Sequence, residues 1–429
     1  MTAMTTKIKV VGVGGCGTNV VVSMIKSGLR GVEFYMVNTD KKHLENCVEK
    51  GLTPDEISEL GTALHTINIG EKATKGQGAG ADPTMGEQAA EESRKQLTDM
   101  LAGTDLLFIV AGMGGGTGTG ASPVIAKLAK EINPEVLIIS AVTKPLKIEF
   151  GKKMAIAEKG IEKLQKYVDS LIIIPNQSMV EGDMSITLPC AYEKVNKIIS
   201  NAVRSISDII NFPSQINVDF ADIKRVMKGK GYSHIGLGMG EGPATSDRMI
   251  KAVKAAASTD ILNTNIAGAT GLIINIQASS DITYNELEEA NIFIAELVAK
   301  DVDCIFGYQT DDSMDQKIIV TIIAAGCKAE NIPMNKRPVY TSMPQPQQPQ
   351  QMQQMGGMPQ RNANYTQPRP VQPQPQGPIS QVVPPRPAPQ PQQPPVQPMR
   401  IDSTQGGGVN NETPSFMKRF LGRKRDNRQ

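Results

Sequence analysis

The 429 residues exceed what one compact core organises, and domains of about 100–200 residues suggest at least two plus additional segments. The net charge of +2 conceals an asymmetry: 33 basic residues stand against 40 acidic ones up to Glu330, and 12 against 3 beyond it. Five dispersed cysteines, Cys16, Cys47, Cys190, Cys304 and Cys327, show neither metal-ligand spacing nor the density of a disulfide scaffold, and no apolar run approaches the ~20 residues of a membrane span. With no stretch resembling a signal peptide, reduced thiols and a cytoplasmic location are expected.

From Lys7 to about Val168, the apolar runs "IKVVGV", "VEFYMVN", "LLFIVAG", "VLIISAVT" and "SLIIIP" alternate with helical patterns. That alternation predicts βα units around a mostly parallel, doubly wound sheet. Two glycine-rich loops follow strands in this region. The first, "GVGGCGTN", fits G-x-G-x-x-G at Gly12, Gly14 and Gly17, and Asp40 ends the next strand at a spacing that suits the ribose of a dinucleotide. Taken alone it supports an NAD-binding reading, or a tight strand-to-helix turn with no ligand at all.

The second loop, "GMGGGTGTG" from Gly112 to Gly120, also joins a strand to a helix, and a dinucleotide fold does not require it. Its glycines let backbone N–H groups close on an anion, Thr117 and Thr119 add hydroxyls, and the helix start favours negative charge. Two such loops on one sheet edge point to a polyphosphate, with "GQGAGADPTMG" (76–86) available to close over its distal end. No G-x-x-x-x-G-K-[ST] is present, which disfavours an ordinary P-loop.

Between Leu188 and Ile210, the residues Val195, Ile198, Ile199, Ala202, Val203, Ile206, Ile209 and Ile210 recur at helical spacing, predicting one long helix closed by Pro213. "ATGLIINIQ", "VDCIFGYQ" and "KIIVTIIAAG", with helical "TYNELEEANIFIAELVA" among them, suggest a smaller α+β domain. After about Ile332, Pro and Gln dominate, a composition that buries too little apolar surface to fold. The chain ends in "TPSFMKRFLGRKRDNRQ", where Phe416, Met417, Phe420 and Leu421 can share one face of a short helix that forms on a partner surface.

"GMGGGTGTG", "NTD" (38–40), "GAGADP" and "NVDFAD" (217–222), in that order, resemble the tubulin-like superfamily, specifically the FtsZ family of prokaryotic cell-division GTPases. The resemblance spans about residues 7–328, and "TPSFMKRF" is similar to the family's C-terminal partner-binding peptide, with Pro414, Phe416, Met417, Phe420 and Leu421 as its contacts. It implies a GTP-binding domain over 7–187, a central helix over 188–212, a C-terminal α+β domain over 213–330, a disordered linker over 331–408 and a peptide over 409–429. By the same resemblance Gly14, Gly15, Gly114, Gly115, Gly116, Thr117 and Gly118 hold the phosphates of GTP or GDP. Asp40 belongs to a further nucleotide loop, Ala79 and Gly80 sit by the γ-phosphate, and Glu149 binds ribose. Asn19 and Asn196 bond to guanine, Tyr192 stacks on the base, and Lys153 reaches phosphate or sugar.

Asn217, Asp219 and Asp222 form the implied catalytic loop, beyond the far end of a helix of roughly 20 residues, about 30 Å long. Carboxylates so placed act on a neighbour's GTP, which requires a head-to-tail homopolymer, with Mg²⁺ neutralising the phosphates. The expected partners are further copies of the chain and a membrane-anchored division adaptor at the inner face of the plasma membrane, with no nucleic acid. Three positions depart from the family pattern: Lys153 stands where Arg is usual, Phe150 where Gly is usual, and Lys197 where an Asp accepts from guanine. Lysine has no acceptor to offer, so Glu193, one helical turn earlier, is expected either to pair with Lys197 or to supply the acceptor itself. The rival readings are a tubulin-like filament for DNA or organelle segregation, and an NAD-dependent oxidoreductase for which no catalytic residue set is evident.

Overall fold

A computed structural model describes residues 6–327, apart from 150, 182–184, 212–218, 245, 260–263, 267 and 299–301. The strands β1 (Ile8–Val13), β2 (Glu33–Asn38), β3 (Leu64–Asn68), β4 (Leu106–Gly112), β5 (Leu137–Lys144), β6 (Ser170–Pro175) and β7 (Gly231–Glu241) lie parallel in the order β3-β2-β1-β4-β5-β6-β7. A two-stranded ribbon, β8 (Ser258–Thr259) with β9 (Thr264–Asn265), stands apart from the sheet. β10 (Gly271–Ala278), β11 (Asp303–Thr310) and β12 (Lys317–Ala325) extend it as β7-β12-β10-β11, with β12 antiparallel to both its neighbours. The two sets of strands expected from the sequence thus share one ten-stranded sheet, joined through a short parallel pairing of Ser170 to Ile172 with Gly231 to Ser233.

The helices of the parallel part are α1 (Gly14–Lys26), α2 (Lys41–Glu49), α3 (Pro54–Leu60), α4 (Glu71–Thr74), α5 (Pro83–Glu92), α6 (Arg94–Leu101), α7 (Thr117–Ile132) and α8 (Gly151–Gln165). α9 (Leu188–Asn211) is the long central helix, followed by α10 (Phe220–Met227), α11 (Arg248–Ala257) and α12 (Tyr284–Leu297). Successive strand residues feed opposite faces: Val10 and Phe108 pack with α1, α2, α9 and α10, whereas Val11 and Leu107 pack with α5 to α8. Each strand buried on both faces reads as an unbroken apolar run, which is why the sequence pattern finds it. On α9, Val195, Ile199, Ala202, Val203, Ile206 and Ile209 are buried in the first of these clusters. Each large aliphatic there contributes about 1.5–3 kcal/mol of burial, and this packed face, more than intrinsic propensity, holds the helix.

β7 had no counterpart among the predicted strands. Its alternating glycines, Gly236, Gly238 and Gly240, lie directly against α11, and a Cβ at each would fall within 1.8 Å of the carbonyl oxygens of Ala256, Ala252 and Arg248 respectively. Two strand residues advance about 6.6 Å and four helical residues about 6 Å, so the two spacings stay matched over three contacts. All five cysteines are free thiols.

Candidate functional site: a cleft at the carboxyl edge of the parallel strands

The loops that follow β1, β4, β5 and β6 converge on an open cleft of about 420 Å³ at the edge where ligands gather in open parallel sheets. Gly14, Gly15, Asn19, Gly114, Gly115, Gly116, Thr117, Gly118, Glu149, Lys153, Tyr192 and Asn196 all line it, so four segments far apart in the chain supply one surface. Two of the glycines are required by backbone geometry. Gly14 has φ +72° and Gly114 φ +102°, and a Cβ at Gly114 would meet the Pro145 side chain at 2.7 Å and the Lys153 carbonyl at 2.9 Å.

The two helices that open onto the cleft are α1 and α7, and neither has a side-chain cap, whereas α2, α3, α5, α10 and α12 are each capped by Asp or Thr. Their first backbone N–H groups and the positive ends of their dipoles therefore remain for an anion. The loop itself is braced: the Gly114 N–H donates to Thr119 Oγ1 at 2.9 Å, and the hydroxyls of Thr39 and Thr117 lie 2.6 Å apart. Such bracing keeps donors in place before a ligand arrives, which lowers the entropy lost on binding.

Opposite these loops, Glu149 accepts from the Leu146 N–H at 3.1 Å and from Lys153 Nζ at 2.9 Å, and the Tyr192 hydroxyl donates to it at 3.5 Å. Burial first, and then the Glu149 charge, raise the Tyr192 phenol above its ordinary pKa. Its 37% exposure leaves the ring accessible from the cleft, as a stacking role requires. Asp40, Ala79 and Gly80 lie beside the cleft and not on its lining. Asp40 caps α2 by accepting from the His43 N–H at 3.0 Å and pairs through its backbone with Gln77, so it anchors the 76–82 loop. Ala79 underlies Gly116, and the space in front of Gly80 is open.

The sequence reading missed Cys16, Thr143 and Asn176, which also line the cleft. Burial raises the Cys16 thiol pKa, which keeps it protonated beside the Thr143 hydroxyl. Asn176 is buried, and its Oδ1 has no hydrogen-bond partner. The signal that could have found Asn176 is its place as the first residue past a parallel strand. Glu193 and Lys197 form an exposed i, i+4 ion pair at 2.8 Å, so pairing is the alternative realised for these two residues. The pair lowers the Glu193 pKa and raises that of Lys197.

Asp219 and Asp222 do not reach the cleft. Asp219 caps α10, accepting from the Asp222 N–H at 2.9 Å, and Asp222 pairs with Arg225 at 3.5 Å. Lys224 of α10 and Lys228 just past its end both bind Glu135, just before β5, at 3.0 and 2.6 Å. The other end of β5 supplies Thr143 to the cleft, so the length of the strand, about 25 Å, lies between Glu135 and the glycine-rich loops. Asn217, Phe150 and the segment from Pro414 to Leu421 lie outside the described residues.

Two family models match the chain: the Tubulin/FtsZ family GTPase domain over residues 7–182, and the FtsZ family C-terminal domain over residues 231–328. An empty FtsZ dimer from M. jannaschii is 31% identical, with a TM-score of 0.67 over 76% of this chain and 89% of that one. This chain belongs to the tubulin/FtsZ family. It is a GTP hydrolase, and the nucleotide it binds is GTP or GDP. The fold also matches the GDP-bound CetZ1 monomer of Haloferax volcanii, 23% identical, with a TM-score of 0.62 over 76% of this chain and 96% of that one. CetZ2 from the same organism, solved as a GTPγS-bound protofilament, is 19% identical, with a TM-score of 0.60 over 75% and 94% of the two chains. Among the described residues no helix is long and apolar enough to cross a membrane.

Proposed function

We propose that this GTPase assembles head to tail into filaments of a cell-division ring, each subunit hydrolysing the GTP held by its neighbour. The observation that carries this reading is the placement of the nucleotide cleft and the Asp219/Asp222 pair at opposite edges of one sheet. α9, with Tyr192 and Asn196 near its start, spans 24 residues and about 36 Å. A contact that brings the acid-bearing edge of one copy over the cleft of the next is heterologous and extends into an open filament. Self-association also fits the dimer and protofilament forms in which the similar proteins were solved.

In that junction the Gly114 to Gly118 loop, through the backbone N–H groups of Gly115 to Gly118, and the starts of α1 and α7 hold the phosphates, and Asn19, Asn196 and Tyr192 hold the base. The incoming Asp219 and Asp222, with Asn217 of the same "NVDFAD" motif, orient and polarise the attacking water. Among the described residues no group of three or more His, Cys, Asp or Glu is arranged to hold a metal. Mg²⁺ is therefore expected to arrive bound mainly through the phosphates, supplying charge neutralisation there. The C-terminal peptide, Pro414 to Leu421, tethers the filament to a membrane-anchored adaptor.

Phosphate release measured across protein concentrations, for the wild type and Asp219→Ala, tests the reading. Turnover per molecule is expected to emerge only above a threshold concentration. The variant is expected to bind GTP normally while its rate falls about 100-fold or more, the range for losing a positioned acid or base. Turnover independent of concentration, or retained by the variant, would refute the shared site.

A further inference from the structure

Beside the nucleotide cleft lies a second, larger one of about 670 Å³, bounded by α1, α2 and the first half of α9. The two clefts share Asn19 and Asn196, so the second begins where the guanine end of the first stops. Lys26 of α1, Lys50 at the end of α2 and Lys197 of α9 line it against a single carboxylate, Glu193. Glu193 is taken by Lys197, and among the described residues no carboxylate forms an ion pair with Lys26 or Lys50. The lining therefore sets three lysines against one carboxylate, with Glu56 acting on Lys26 from outside the cleft, and it faces them onto a concavity of a size that holds small ligands.

A buried polar group on the same lining lacks a partner. Ser200 lines the cleft at 2% exposure, and its hydroxyl has no hydrogen-bond partner. A buried hydroxyl without a partner carries a desolvation penalty that a ligand acceptor relieves. The wall opposite is set in place: His43 Nε2 is 3.0 Å from the Thr18 hydroxyl and 3.3 Å from the Cys47 thiol, and that thiol is 3.6 Å from Asn19 Oδ1. Asn19, which the nucleotide reading places on guanine, is thus connected to both clefts.

We propose that the second cleft binds a phosphate-bearing small molecule, held by Lys26, Lys50 and the Ser200 hydroxyl, and that its occupancy is coupled to the nucleotide through Asn19 and Asn196. The proposal rests on GTP or GDP filling the first cleft, and it adds a distinct site with its own ligand. Because the shared asparagines belong to both sites, the coupling is reciprocal: whatever factor the anion applies to nucleotide affinity, the nucleotide applies to the anion's.

The test is calorimetric titration of inorganic pyrophosphate into the full chain saturated with GDP, which closes the first cleft to the probe. The wild type is expected to bind it in the range of 1 mM or tighter, and to release GDP at a rate that shifts at least twofold when pyrophosphate is present. The double variant Lys26→Glu/Lys50→Glu is expected to bind at least tenfold more weakly while holding GDP within twofold of the wild type. That retained GDP affinity also reports that the variant is folded. Asn46→Trp, which fills the cleft without changing its charge, is expected to abolish binding as well. No binding by the GDP-saturated wild type, or equal binding by both variants, overturns the proposal. Loss of GDP binding by the wild type would instead refute the nucleotide assignment on which the design rests.

Discussion

Replacing Asp208 by asparagine is expected to stabilise this protein at neutral pH and to lose most of that benefit in acid. Asp208 lies on α9 with its carboxyl largely withdrawn from water. Burial raises its pKa from 3.8 to about 6, against a smaller opposing pull from Arg204. In the unfolded chain the same carboxyl is ordinary, so between the two values the folded state binds more protons than the unfolded one. Stability contributed by this group therefore falls as pH rises through that window, and above it the folded state bears the whole cost of a desolvated carboxylate. A shift of about two units at 1.36 kcal/mol each sets a ceiling of about 3 kcal/mol at pH 7.5, shrinking to about 1 kcal/mol at pH 4.5. Asparagine keeps the shape and removes the charge. Urea unfolding of both proteins at the two pH values reads the difference directly. An equal gain at both pH values, or a loss at pH 7.5, would show that the substitution acts through packing and would refute the electrostatic argument.

Three further outcomes follow from the cleft and the tail. Gly114→Ala places a methyl against Pro145 and the Lys153 carbonyl at φ +102°, so GTP affinity measured by fluorescent-nucleotide displacement is expected to fall at least tenfold, and unchanged affinity would separate this loop from the phosphates. Glu193→Ala frees Lys197 beside the base end of the cleft, and the preference for GTP over ATP is expected to drop in competition binding while the melting temperature stays put. An unchanged preference would leave Glu193 as a surface ion-pair partner. Deleting residues 413–429 is expected to preserve assembly in sedimentation while releasing filaments from adaptor-bearing membranes, and persistent membrane localisation would reject the tether.

The runs "LLFIVAG" and "SLIIIP" coincide with β4 and β6 because helices cover both faces of the sheet there, so every residue along them is driven to be apolar. α9 was legible for a related reason, since one buried stripe repeats over its whole length. β3, whose "LHTIN" lies half-buried at the sheet's edge, offers no such run. β7 hides its identity behind glycines selected by contact with α11, a constraint that leaves no hydrophobic pattern to read. In the site, glycine-rich loops announce themselves, whereas Thr143 and Asn176 are ordinary polar residues made significant only by the strand ends they occupy. The second cleft was invisible in the sequence because it is assembled from surfaces up to about 180 residues apart, none of which carries a motif.

The bare face of β7 bears on how this half of the molecule carries mechanical load. Around α9, by contrast, the helix rests on the sheet through side chains that can change rotamer and so yield by small steps. Where Gly236, Gly238 and Gly240 meet α11, main chain touches main chain, and no intermediate arrangement exists between seated and separated. A displacement of β7 is therefore met by the α11 main chain with no side chain between them. The seams around α9 have rotamers to shift where the glycine face of β7 has none, so of these two contacts the one around α9 is the better able to yield.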